Sequence, residues 1–332
     1  MCSVSIIIVN TNTRELVCQC LESVYANAPE CAFEIIVVDN ASTDGSCEAI
    51  VTRFPRVCLI RNARNMGFSV ANNQAFKIAR GNHFFLLNSD AILLPGSLDK
   101  LLEAIERDES LGVVAPKLVY PDGSLQMSYG PIPNLFVVFC SFFDVKRLVP
   151  FSMRERIGRS GLAKLAGKSV DRYMSWFSGK KPVTKIIDKD MYVTGACMLI
   201  RRECYEQVGG LDPNFFINVD DADYCKRVHD QGWAIQFLAE ATVIHIMGGT
   251  LGDRYRWTRA AAYESVFYFM RKHRGSWAFH ISKTFAVTAV FGRWMGSVLR
   301  GRSERKKSWA LLTELVNYSI SAAFRSQKGE LG

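Results

Sequence analysis

Apolar residues fall into two alternating rhythms over the first 120 positions of the chain. Residues 4–9 form a short β-branched run, and residues 14–27 then place Leu16, Val17, Cys20, Leu21 and Val24 on one helical face. Residues 34–38 predict a second strand ending at Asp39-Asn40, and the loop 41–46 turns into a helix. A third strand is predicted at 57–60, a helix at 69–80 stopped by Gly81, a fourth strand at 83–87 and a helix at 97–107. Strands that alternate with helices predict an α/β fold: a Rossmann-like, mainly parallel sheet flanked by helices. Ligands of such sheets bind at the carboxyl ends of the strands, where Asp39 and Asn88-Ser89-Asp90 fall.

The rhythm breaks down from Pro131 to Asp188, where aromatic, basic and Gly/Ser/Pro residues mix and only 154–168 suggests a helix. It resumes with one buried-type strand at 191–201, a helix at 203–208 and the Gly209-Gly210 turn. A helix at 222–231 stopped by Gly232, and two strands at 233–238 and 242–246, follow. Beyond Tyr255 the pattern is helical and increasingly basic. Four parts result: 1–130 and 189–254 as two halves of one α/β body, 131–188 as an insertion on it, and 255–332 as a basic helical extension.

Composition narrows the class. A chain of 332 residues with 48% hydrophobic and 22% charged residues folds as a globular protein. Its ten cysteines show no zinc spacing and read as free thiols of a reducing cytosol. No secretory signal is visible, and no stretch of 18 apolar residues lacks a charge. The net charge of +9 concentrates at 146–185 and 271–307, which suits an anionic membrane face, acidic substrates or an ordinary solvated surface. Residues 279–299 are apolar but carry Lys283 and Arg293, so they suit an interfacial helix or one packed on the body. Nothing points to a nucleic-acid partner.

Two acidic clusters carry the candidate chemistry. Asn88-Ser89-Asp90 ends an apolar strand, where oxygen ligands can hold a hard cation against phosphate oxygens. Asp220-Asp221-Ala222-Asp223 crowds three carboxylates ahead of a helix, and like-charge crowding raises carboxyl pKa values toward those of a general base. His245 ends a strand and offers an imidazole ligand, which tilts preference from Mg²⁺ towards Mn²⁺. Asp39 can accept hydrogen bonds from a base or ribose. The phosphate-binding glycine fingerprints, G-x-S-x-G and H-E-x-x-H are all absent.

An ordered series of segments runs through the chain. It comprises residues 4–10, Val37-Val38-Asp39-Asn40-Ala41-Ser42-Thr43-Asp44-Gly45, Asn65-Met66-Gly67-Phe68 with Asn73, 86–90 and Pro121-Asp122-Gly123. Residues 195–202, 208–212, 215–223 and His245 complete it. This series, over roughly 3–274, resembles the family 2 glycosyltransferases of GT-A fold, in particular the rhamnosyltransferase-like branch of bacterial surface-polysaccharide synthesis. The resemblance implies inverting transfer of a sugar, dTDP-rhamnose being the first donor expected and UDP-hexoses next, to a glycan or lipid-linked acceptor. It implies a divalent cation, Mn²⁺ or Mg²⁺, and work in the cytoplasm or on the cytoplasmic face of the inner membrane. Asp221 is then the base, Asn88, Asp90 and His245 the metal side, and Thr11, Asp39, Asn65, Gly67, Asn73, Asn88 and Ser89 the donor side. Gly195, Asp220 and Asp223 fall on the acceptor side. The chain departs from the family pattern at Asn88, where Asp is usual, at Asp220, where Glu is common, and at Thr11, often aromatic. A sugar nucleotidyltransferase would need a glycine-bearing loop after the first strand, and 10–14 has none. A non-catalytic relative that binds nucleotide sugars or glycans would lose a cluster carboxylate, and both clusters are intact.

Overall fold

The computed structural model describes residues 3–145, 183–246 and 255–297, with isolated positions between 309 and 315. Two compact units divide the chain: 1–130, 182–216 and 220–252 form one, and 131–181, 217–219 and 253–332 the other. The helix expected at 154–168 lies outside the described residues.

The first unit is built on a mixed, mostly parallel sheet. β1 (Ser3–Asn10), β2 (Ala32–Asp39), β3 (Cys58–Arg61) and β4 (His83–Asn88) run parallel in the order β3-β2-β1-β4. The crossovers are α1 (Arg14–Ala26), α2 (Ser46–Arg53) and α3 (Phe68–Ile78). The centres of β1, β2 and β4 are apolar runs because both faces are covered there: Ile6, Ile7 and Ile8 are all buried. Val17, Cys20, Leu21 and Val24 of α1 are buried in the same core as Val4, Ile6 and Ile8, as their spacing predicts.

Past β4 the chain forms β5 (Ala91–Leu93), α4 (Ser97–Arg107), β6 (Leu111–Val119), β7 (Leu125–Gln126) and β8 (Tyr129–Pro131). It returns to this unit through β9 (Lys185–Ile186), β10 (Met191–Val193), β11 (Cys197–Arg201), α6 (Arg202–Val208), α7 (Asp220–Asp230) and β12 (Ala234–His245). The sheet continues as β4-β11-β6-β12-β5, with β11 antiparallel to both its neighbours and β12 parallel to β6.

Three expectations need correction. The strand expected at 191–201 is two: β10 pairs with β8, β11 enters the main sheet, and Gly195 lies in the break. The two strands expected at 233–246 are one, β12, whose register slips between Leu238 and Thr242. That slip falls opposite Pro116, which has no N–H to offer a neighbouring strand, so β12 bulges there. Finally, α7 starts at Asp220, two residues earlier than expected, so Asp220 and Asp221 sit in its first turn.

In the second unit, α5 (Leu135–Phe142), within the stretch expected to be irregular, packs with α8 (Tyr255–Arg274) and α9 (Ser276–Ser297). Phe142 lies 4.8 Å from Tyr263, and Phe267 6.0 Å from Phe279. Arg293 points into this packing, donating to Phe142 O at 2.8 Å and to the Tyr263 hydroxyl at 2.6 Å. No described helix is long and apolar enough to cross a membrane.

Candidate active site

The carboxyl ends of three adjacent parallel strands make the floor, since Asn10 is in register with Asp39 and Val9 with Asn88. Asn10 Nδ2 donates to Asp39 Oδ2 at 2.8 Å and to Ser42 Oγ at 3.1 Å. Ser42 N–H donates to Asp39 Oδ1 at 2.8 Å, and Thr13 Oγ1 donates to Asn10 Oδ1 at 2.6 Å. Thr13 also lies 3.1 Å from Ser89 Oγ. Asp39 is therefore buried and shapes the 39–44 loop with both oxygens, beside the half-buried Thr11. Burial, and after it the Asp39 carboxylate, pushes the Cys47 thiol up to about 11.

A wall of amides stands next to this floor. Asn40 donates to Gly67 O at 3.2 Å and accepts from Asn62 at 2.8 Å, and Asn65 Oδ1 takes the Gly67 N–H at 2.9 Å. Gly67 needs its positive φ of 81°, and a Cβ there would lie 2.9 Å from the Phe216 ring. Asn73 grips the backbone of one residue twice, with Nδ2 donating to Leu211 O at 2.7 Å and Oδ1 accepting Leu211 N–H at 2.9 Å. A Cβ at Gly210 would come within 2.3 Å of that Oδ1. Asn73, expected on the donor side, thus holds the segment that leads to the second acidic cluster.

The first cluster is assembled by strand pairing. β5 pairs antiparallel with β12, setting His245 opposite Ala91, and Ile246 N–H donates to Asp90 O at 2.9 Å. His245 Nε2 lies 3.2 Å from Asp90 Oδ1 and 3.2 Å from Asn88 Nδ2. Its Nδ1 lies 2.7 Å from Gln126 Oε1, an amide oxygen that only accepts, so Nδ1 carries the proton. Nε2 is then the ring nitrogen that faces the Asp90 carboxylate oxygen. An imidazole nitrogen and a carboxylate oxygen this close fit a cation between them, and Asn88 would join through its amide oxygen once the amide turns, since its nitrogen is the atom now beside Nε2. Among the described residues no group of three His, Cys, Asp or Glu side chains could hold a metal ion, so the set is one carboxylate, one imidazole and one amide.

The second cluster opens α7. Asp221 Oδ2 accepts Gly195 N–H at 3.0 Å and Oδ1 accepts Ala222 N–H at 2.8 Å. Burial raises the Asp221 carboxyl pKa, opposed by those two N–H groups. Asp220 is raised further, by burial and then by the charge of Asp221. Asp223 is fully buried and paired with Arg227 at 2.8 Å. Arg227 also donates to Val208 O and Gly210 O, each at 2.9 Å. Asp223 therefore ties the helix to the Gly209-Gly210 turn.

A backbone bond joins the clusters: Asn88 N–H donates to Ala196 O at 2.9 Å, and the preceding residue, Gly195, holds Asp221. A β-carbon on Gly195 would lie 3.4 Å from that of Asp221. Sequence reasoning missed Asn10, Thr13, Ser42 and Gln126. The turn at Pro121-Asp122-Gly123 was the available signal for Gln126, because it folds β7 back along β6 and sets Gln126 opposite Leu118.

Residues 5–209 match the family model described as glycosyl transferase family 2. The chain is 28% identical over 269 residues to an N-acetylglucosaminyl-diphospho-decaprenol L-rhamnosyltransferase from Mycobacterium tuberculosis, covering 75% of this chain and 78% of that protein. Its fold matches the Pyrobaculum calidifontis mannosyltransferase PcManGT, solved with GDP-Man and Mn²⁺, at a TM-score of 0.54 and 16% identity over 98% of this chain and 83% of that one. It also matches S. aureus TarS 1–349 at 0.50 and 14% identity, over 97% and 82%.

Proposed function

Because the chain belongs to glycosyl transferase family 2 and has the GT-A fold, we propose that it is an inverting, metal-dependent enzyme that transfers rhamnose from dTDP-rhamnose to a lipid-linked glycan. The observation that carries this reading is the bonded chain from Asp90, His245 and Asn88 through Ala196-Gly195 to Asp221 at the strand ends. The rhamnosyltransferase relative, whose name gives a decaprenol-linked sugar as acceptor, supports the rhamnosyl group and the acceptor class. The mannosyltransferase solved with Mn²⁺ supports the cation. Its work on a lipid-linked acceptor belongs at the cytoplasmic face of a membrane, as a peripheral protein.

Asn88, Asp90 and His245 would hold the cation. Bound there, it supplies positive charge for a departing diphosphate. Asp221 takes the proton from the acceptor hydroxyl as that oxygen attacks the anomeric carbon from the face opposite the nucleotide, and one displacement inverts the centre. Burial makes Asp221 a stronger base than an exposed carboxylate, while the Gly195 and Ala222 N–H groups fix its direction. Asn65, Gly67 and the Asp39 loop border the donor, with Thr11 and Ser89 beside them.

A thermal-shift panel of dTDP, UDP, GDP and CMP, each with and without Mn²⁺, tests the reading. A ligand at about 100 times its dissociation constant adds about 2.7 kcal/mol. A Mn²⁺-dependent shift largest with dTDP is expected. A larger shift with another nucleotide removes the rhamnose assignment, and no shift with any removes the catalytic one.

A further inference from the structure

Helix α9 is built inside out for a helix facing water. Its outward positions Trp277, Ile281, Thr284, Thr288, Phe291 and Met295 recur at spacings of four and three, so they form one continuous stripe. Trp277 is 62% exposed, Ile281 37%, Phe291 47% and Met295 52%. None of the exposed α9 positions is Asp, Glu, Lys or Arg; His280 is their one titratable group. The charge that a water-facing helix would turn outward points the other way, since Arg293 donates into α5 and α8. The two aromatics that composition alone would also put on a lipid face are otherwise engaged: Phe279 is buried, and Phe285 packs on Phe139 at 5.4 Å.

The geometry points to this stripe as a surface that lies flat in the headgroup region of an anionic bilayer. A stripe from Trp277 to Met295 is about 27 Å long at 1.5 Å per residue. α9 is not long and apolar enough to cross a bilayer, and its opposite side is packed on α5 and α8. Charge complementarity selects the occupant. Arg271, Lys272 and Arg274 are exposed where α8 hands over to α9, and the sequence after α9 carries Arg300, Arg302, Arg305, Lys306 and Lys307. An uncharged stripe with exposed cations at the end where α9 begins matches acyl chains below and lipid phosphates at the rim. The inference rests on the lipid-linked-acceptor reading for its purpose, but its physical basis is independent of it.

The test is flotation of the full chain with phosphatidylcholine vesicles and with vesicles containing phosphatidylglycerol. Binding to the anionic vesicles, weakened by salt, is expected. The triple variant Ile281→Asp, Phe291→Asp, Met295→Asp should lower that partitioning tenfold or more. Replacing Arg271, Lys272 and Arg274 with Gln should lower it about 100-fold on anionic vesicles only, at about fivefold per basic residue. Brominated lipids should quench fluorescence in the natural chain and less in Trp277→Phe, which reports the contact independently of how the Asp variant folds. Unchanged binding of the Asp variant, no binding by the natural chain, or a dimer that the Asp variant converts to monomer each overturns the inference. The dTDP thermal shift, read in the same samples, separates the two proposals: vesicle binding can fail while the shift persists, and the reverse.

Discussion

Arg227→Met is the perturbation whose size follows most directly from the geometry. Arg227 Nε holds the fully buried Asp223 at 2.8 Å, and its other nitrogens serve Val208 O and Gly210 O. Methionine keeps most of the side-chain volume but removes the guanidinium charge paired with a fully buried carboxylate. Removing one partner of a buried pair costs about 3–5 kcal/mol. The variant can limit that cost by protonating Asp223. Neutralising a carboxyl of ordinary pKa, ~3.9, at pH 7 costs about 4 kcal/mol at 1.36 kcal/mol per unit, which sets the ceiling. The two carbonyls add little, because water can reach where the partly exposed guanidinium stood. The sign follows from linkage. In the variant the folded-state pKa lies above the unfolded one, so the penalty is present at high pH and shrinks by about 1.4 kcal/mol per unit as pH falls. Urea denaturation should therefore give a loss of about 4 kcal/mol at pH 7 and about 1.5 kcal/mol at pH 5. Adding Asp223→Asn should restore most of the difference at pH 7. A loss below about 1 kcal/mol at pH 7, or one of the same size at pH 5, would refute the argument that the pair is a buried charge-compensating anchor.

Asp220→Asn should raise stability at pH 8 more than at pH 5. Burial and Asp221 hold the native carboxyl pKa well above its unfolded value, so stability falls as pH rises from the unfolded pKa toward the folded one; equal gains at both pH values in paired melts would sink this. Gln126→Leu removes the acceptor that fixes the His245 tautomer and should weaken Mn²⁺ binding, measured by electron paramagnetic resonance of free Mn²⁺ with dTDP present, by about 10–100-fold. Unchanged Mn²⁺ affinity would mean that His245 needs no such partner. Asn73→Ala leaves both backbone polar groups of Leu211 without their partner and should cost about 2 kcal/mol while leaving dTDP affinity within about twofold. Loss of dTDP binding in a folded variant would return Asn73 to the donor side.

The parallel half of the sheet was legible because β1, β2 and β4 are buried on both faces at their centres, so apolar composition and burial coincide there. β6 was not, although it lies at the centre of the sheet. Gly112, Pro116 and Lys117 interrupt its apolar run, and each belongs to a local circumstance that only the fold reveals. Gly112 is pressed against Cys204 and Trp233, where a Cβ would lie 2.6 Å from the thiol, and Pro116 faces the bulge in β12. The same bulge split one strand into two in the sequence pattern, because Ala239 to Ala241 break the alternation at the point where register slips.

The site divides along similar lines. Carboxylates at strand ends announce themselves, because an acidic residue after an apolar run has few structural reasons to be there. Amides do not, since Asn and Gln are ordinary surface residues and their value lies in which group they face. Asn73 and Gln126 show the consequence. Each acts through a bond to a segment more than a hundred residues away, Leu211 in one case and His245 in the other, and neither bond follows from spacing along the chain. What was legible at 120–126 was the turn, and the turn suffices once β12 is known to lie beside β6: it fixes which residue of β7 returns to the sheet, and that residue is the one able to tell the His245 ring which nitrogen to protonate. The carboxylates are therefore legible in the sequence as candidates, while the amides bonded around them become visible only when strand order is known.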